Sequence, residues 1–154
     1  MEGTPVARLK RLPAQYHPEK DIKGKVQDML SAEPDVRDEI MAVLGEEYLA
    51  AAERGDETDL HDFIEEGFPV TWQDPENGLT ALHIAAGCQA RKALRVLLAT
   101  DQCDFLLRDN HGRLASEMAY LYGEDVAVAR LLRNRERKQA EAQGIKLTRR
   151  ERSG

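Results

Sequence analysis

The side chains that could do chemistry are two cysteines, four histidines and a dense run of carboxylates. A nucleophilic cysteine needs a thiolate, a nearby base and a group to orient that base. Cys88 and Cys103 have no histidine at a telling position and lack the paired spacing of a zinc site. The carboxylates Asp56, Glu57, Asp59, Asp62, Glu65 and Glu66 are spaced around a helical surface, and they form neither a calcium loop nor a catalytic acid pair. Gly24-Lys25 lacks the upstream glycine and following Ser/Thr of a phosphate loop. His17, beside Pro18, carries no signal, and His61, between Asp59 and Asp62, reads as part of a solvated polar face. The expectation is a protein that is not an enzyme and has no cofactor and no metal.

The other two histidines belong to a repeated pattern, and the pattern defines the elements. Gly78-Leu-Thr-Ala-Leu-His-Ile-Ala-Ala86 returns in weaker form as Gly112-Arg-Leu-Ala-Ser-Glu-Met-Ala-Tyr120, thirty-four residues on. The same offset backwards aligns Leu49 to Gly55 with the second half of the motif. The pairs Phe63-Ile64, Leu97-Leu98 and Leu131-Leu132 keep the step, as do Leu60, Leu94 and Val128, and Leu98 is expected to fill a contact between units. A fixed period of this length marks stacked supersecondary units. Leu82, Ala85 and Ala86 share one helical face, and residues 90–99 carry a second apolar stripe with Arg91, Lys92 and Arg95 outside it. Turn-forming Asp101, Asp104, Asp109, Asn110 and Gly112 follow before the next unit.

The motif resembles the ankyrin repeat, whose pattern is Gly-x-Thr-Pro-Leu-His-x-Ala-Ala with a Leu-Leu late in the second helix. Residues 78–86 match it except at Ala81, where the family prefers proline, and the resemblance covers about residues 46–136. Both intervals from the second apolar of a pair to the next motif glycine (Ile64 to Gly78, Leu98 to Gly112) exceed the family's by one residue. Both connecting loops are therefore expected to be expanded. The resemblance implies that His83 ties its own repeat to an adjacent loop, with Thr80 as local partner. It also implies a protein-binding surface of loop tips and inner helices. Transferred by motif, the contact positions are Glu53 and Arg54, then Glu76, Asn77, Leu79, Gly87 and Cys88, then Asn110, His111, Arg113, Leu121 and Tyr122. Trp72, in the first expanded loop, is either a plug between loops or the aromatic anchor of an interface.

Charge divides the 154-residue chain: residues 31–77 hold 15 acidic and 2 basic side chains, whereas residues 130–154 hold 9 basic and 3 acidic. Such a separation orients a charged partner and speeds its arrival. Few cysteines, no secretory leader and no apolar run of membrane length lead us to expect a cytoplasmic, non-membrane protein.

The resulting expectation is an all-α, short ankyrin-like helical solenoid with two N-terminal capping helices and an extended C-terminal helix. It comprises an irregular arm (1–20), capping helices (21–45) broken by Pro34 and ended by Gly45, repeats (46–136) and a basic tail (137–154). Residues 125–142 are expected as one helix, ended by Gly144, whose distal part from Arg133 projects into solvent. The expected function is a non-catalytic adaptor, inhibitor or regulator that binds a protein with a basic surface. Nucleic acid on the tail is the alternative, weakened by the absence of aromatic residues there. A bacterial immunity protein, antitoxin or effector is a further one, suggested only by small size and acidity.

Overall fold

The computed structural model describes residues 17–147; most of the expected arm and the last seven residues of the tail lie outside the described residues. The described residues form seven helices and no strand. They are α1 (Ile22–Ser31), α2 (Pro34–Arg54), α3 (Glu57–Glu65), α4 (Ala81–Gly87), α5 (Arg91–Ala99), α6 (Ala115–Leu121) and α7 (Val126–Gln143).

Local sequence explains most of the boundaries. Asp21, Asp56, Thr80 and Asp125 cap α1, α3, α4 and α7 by accepting an N–H three residues on. Pro34 opens α2, where its missing N–H is not needed, and Gly55 and Gly144 close α2 and α7 in the left-handed conformation. The thirty-four-residue period recurs in the backbone itself. Left-handed φ values occur in matched pairs at Gly55 and Gln89, Gly67 and Asp101, and Gly78 and Gly112. Gln89 and Asp101 hold this conformation without being glycine, which marks the turns as set by packing on both sides.

The helices pack in two rows. In one row α2 lies against α4 and α4 against α6; in the other α3 lies against α5. Ala51, Ala52, Ala85, Ala86 and Ala119 are completely buried between the helices of the first row, where small side chains allow close approach. The first pair has an aromatic core instead: Tyr48, Phe63 and Phe68 rings meet with centroids 4.8–5.6 Å apart. The Tyr48 hydroxyl donates to the Val70 carbonyl at 3.0 Å. Helix α1 covers the start of this assembly, packing on α2 and α3, and α7 closes the other end against α6.

Four expectations are corrected. Gly45 does not end a helix: α2 runs through it for 21 residues. The glycine is there for contact, since a Cβ at 45 would lie 2.2–2.4 Å from the Trp72 ring. Next, the third helix pair slips by one residue. Turn residues Asp56 and Ala90 are followed by Asp125, not residue 124, and Leu132, not Leu131, is the buried counterpart of Phe63 and Leu97. The extra residue is Gly123, which fits only as glycine because a Cβ would lie 2.4 Å from the Ala86 carbonyl. Leu98, expected at the heart of a contact, is only partly buried, and Leu97 is fully buried.

The distal half of α7 does not project freely. Glu136 is 2% exposed and Ala140 3%. The Glu136 carboxylate accepts from Ser116 Oγ at 2.8 Å and Ser116 N at 3.2 Å, so it satisfies the start of α6. Gln139 accepts from the Phe105 N–H and donates to the Cys103 carbonyl. A stripe of Val128, Leu132, Glu136 and Ala140 faces inward, with Arg130, Arg133, Arg135, Arg137 and Lys138 outside.

Candidate functional site

The two loops that link the helix pairs are built alike and bonded to each other. Asp74 N donates to the Leu79 carbonyl and Asp109 N to the Arg113 carbonyl, closing a turn at each tip. The Asp side chains then accept tip N–H groups, Asp74 from Glu76 and Asp109 from both His111 and Arg113. The first tip, Asp74 to Leu79, contains one residue more than the second, Asp109 to Arg113, whereas the stretch from Leu98 to Asp109 is one residue longer than that from Ile64 to Asp74. Sequence spacing alone could not place either difference.

Asn110 joins the tips. Its N–H donates to the Asn77 carbonyl at 2.9 Å and its side-chain amide to the Glu76 carbonyl at 2.9 Å. Gln73 spans the bases of both loops, donating to the Gly78 and Arg108 carbonyls. Gly78, at φ +75°, is obligatory: a Cβ would meet Asn110 Oδ1 at 2.7 Å.

His83 lies beneath the second tip, 1% exposed. Its Nε2 is 2.8 Å from the Arg113 carbonyl oxygen, so that nitrogen carries the proton and donates. Nδ1 is then the acceptor facing the Thr80 hydroxyl at 2.7 Å, while Thr80 Oγ1 accepts the His83 N–H. Burial holds the imidazole pKa below its ordinary value, outweighing the raising effect of the bond to Arg113. A buried imidazole with both nitrogens satisfied is a strut, not a base waiting for substrate.

Arg113 is similarly engaged within the molecule. Its guanidinium contacts Asp109 Oδ2 at 2.7 Å, donates to the Tyr122 hydroxyl at 2.6 Å and lies 5.2 Å from the Tyr122 ring centroid. Burial alone would raise the Asp109 pKa. The bonds from Arg113 N, the guanidinium and His111 N outweigh it, and the carboxyl sits below its ordinary range.

The transferred contact positions therefore divide. Glu53, Arg54, Glu76, Cys88, Asn110, His111, Leu121 and Tyr122 are exposed; Trp72, Asn77, Leu79, Gly87 and Arg113 are partly buried. Tyr120, at the position of the alanines Ala52 and Ala86, is 61% exposed, which lengthens the exposed run to Tyr120-Leu121-Tyr122. Tyr120 and Gln73 were missed by sequence reasoning, and Asp109 was read only as a turn former. Gln73 acts through backbone carbonyls, which leave no residue pattern.

Both thiols are held above their ordinary pKa by burial, Cys103 to about 11 and Cys88 with a further contribution from Glu53. Neither environment generates a thiolate. One exposed turn of α3 brings His61, Asp62 and Glu65 donor atoms within 4.8 Å of one another, with His61 Nδ1 and Glu65 Oε2 at 3.3 Å. That proximity follows from one helical turn and nothing larger surrounds it. An open cleft of about 470 Å³ lies between α1, α2 and α3, lined by Lys20, Lys25, Glu47, Arg54 and Asp59 among others. Its charges pair across it, Lys25 Nζ with Glu47 and Arg54 with Asp59.

The chain matches no protein-family model and no curated protein. No helix of the described residues is long and apolar enough to cross a membrane.

Proposed function

We propose that this chain is an ankyrin-type, non-catalytic binding module of the cytoplasm. It holds a protein with a basic surface across its loop tips, its inner-helix ends and its acidic N-terminal half. The observation that carries this reading is the rigid ladder of loop tips. Hydrogen bonds between residues 73–79 and 108–113, one from the Asn110 N–H and two from the Gln73 and Asn110 side-chain amides, hold Glu76, Asn110 and His111 outward on a fixed frame. A preorganised frame lowers the ordering cost of association. The balance of 15 acidic to 2 basic residues over 31–77 gives the partner its sign. The buried, doubly bonded His83 and the protonated thiols argue against catalysis at the residues best suited to it.

The test is capture from lysate of the source cell by the full chain after nuclease treatment. The reading requires a protein that is released by raised salt. It also requires that the protein be lost when Glu53→Lys and Tyr122→Ala are combined in a variant whose helicity is unchanged. A protein held equally by that variant would overturn the reading.

The five basic residues exposed along α7 favour a second reading, nucleic-acid binding at the C-terminus. Its discriminator is substitution of Arg130, Arg133, Arg135, Arg137 and Lys138 by Gln. Truncation at residue 136 would remove the docked Gln139 and Ala140 and confuse lost binding with lost structure.

A further inference from the structure

A second cavity, of about 230 Å³, opens where the first loop crosses α2. Ala42, Val43, Pro75 and the Trp72 indole supply apolar wall, and Glu46, Asp74 and Glu76 supply carboxylates. Trp72 cannot swing away freely: its ring occupies the space above Gly45, and its centroid lies 6.2 Å from that of Phe68. The loop that carries the acids is equally fixed, since Asp74 bonds the Glu76 N–H and the Gly78 N–H donates back to the Asp74 carbonyl.

An indole beside carboxylates, over an apolar floor, matches one side-chain chemistry closely. A long cationic side chain buries its methylenes against apolar walls and keeps its head at the charged rim. Indole is the best aromatic partner for a cation, and a guanidinium stacks on such rings while bonding carboxylates with its planar fork. The surrounding segment is the most acidic of the chain, so the long-range field draws the same charge toward the cavity.

We infer that the Trp72 cavity is the receptor for an arginine side chain of the protein partner. This rests on the proposed basic-partner reading and names the anchor within it. Trp72 is then both wall and reporter, because the chain contains one tryptophan.

The experiment titrates the full chain with fluorescein-labelled hexa-arginine, with hexa-citrulline as the uncharged control of the same shape. Peptide anisotropy reads binding anywhere on the acidic face, and tryptophan emission, followed with unlabelled peptide, reads the cavity alone. Both should change saturably with hexa-arginine and neither with hexa-citrulline. Combining Glu46→Gln with Glu76→Gln, both at exposed positions, should raise the half-saturation concentration about tenfold in a variant whose helicity is that of the parent. Asp74 is left intact because it shapes the loop. A rise in anisotropy with unchanged emission, or identical titration of the double variant, would overturn the cavity assignment and leave the basic-partner reading standing. No anisotropy change at all would count against both.

Discussion

The Nε2 of His83 lies 2.8 Å from the carbonyl oxygen of Arg113, thirty residues later in the chain, and that single bond joins the second helix pair to the loop of the third. Because Arg113 also holds Asp109 and Tyr122, the imidazole supports the whole second tip from below.

His83→Leu removes the donor to Arg113 and the acceptor for Thr80 while filling much of the volume. Each orphaned buried group costs about 1–3 kcal/mol, so a loss of about 2–6 kcal/mol is expected in urea unfolding. Thr80→Val removes the hydroxyl facing Nδ1 and, with it, the N-cap acceptor of the His83 N–H, so it too should cost about 1–3 kcal/mol. Thr80→Ser keeps both bonds and should cost clearly less; equal losses for the two variants would show that the hydroxyl contributes nothing.

The same residue makes stability depend on pH. As pH falls through 6.5, the ordinary histidine value, the unfolded chain takes up a proton that folded His83 refuses. The unfolded state then binds more protons, so stability declines until the folded pKa is passed and levels off below it. Asp109 adds a second decline at lower pH: its stabilising contribution is full above 3.8 and is lost as pH falls through its depressed folded value. Urea midpoints between pH 8 and 5 should fall for the parent chain and fall less for His83→Gln.

The helices and the period were legible in the sequence because they rest on apolar spacing, and the paired alanines announce close helix contact. The role of His83, with Thr80 as its partner, was implied by the resemblance of the motif that carries it. The errors have one physical origin: contacts between distant segments set the outcome. Gly45 looked like a helix end because glycine usually ends helices, but here the Trp72 ring takes the place of its side chain. The distal part of α7 looked solvated because its inward residues include Glu136 and Gln139, whose partners Ser116, Cys103 and Phe105 come from other elements. The sequence allows Trp72 as plug or anchor, and the structure places it against Gly45 and in the wall of a cavity.

Leu97 and Leu98 separate the apolar-pair reading from the observed register. Leu97→Ala empties a fully buried position and should cost about 2–5 kcal/mol. Leu98 is partly buried, so Leu98→Ala should cost clearly less, and thermal melting of the two variants side by side decides it. The reverse order would place α5 one residue out of register.

Glu136 behaves oppositely to Asp109. Burial raises its pKa despite the bonds from Ser116, so the folded chain holds this proton more tightly than the unfolded chain. Its contribution is full below the ordinary 4.5 and declines as pH rises through the folded value. Glu136→Gln keeps an acceptor for Ser116 without the charge, and its stability relative to the parent should improve as pH rises from 4.5 to 7. Glu136→Ala leaves Ser116 N and Oγ without their partner, which should cost about 1–3 kcal/mol. Amide exchange of residues 133–143 should quicken in Glu136→Ala and stay slow in Glu136→Gln. Equally fast exchange in both would mean that Ser116 does not hold the distal helix.

Gly45→Ala sets two known effects against each other. In an ordinary helix interior the change favours folding by about 1 kcal/mol, because alanine has the higher propensity. Here the added methyl would lie 2.2 Å from Trp72 Cη2, far inside contact distance, so the ring or α2 must shift. Overpacking of this kind costs about 1–3 kcal/mol, enough to cancel or exceed the propensity gain. The expected result is a chain no more stable than the parent, with tryptophan emission shifted to longer wavelength as Trp72 is pushed toward water. Trp72→Ala combined with Gly45→Ala removes the clash and should recover the propensity gain relative to Trp72→Ala alone. If Gly45→Ala by itself stabilises the chain by the full amount and leaves the emission unchanged, the indole does not rest on this glycine.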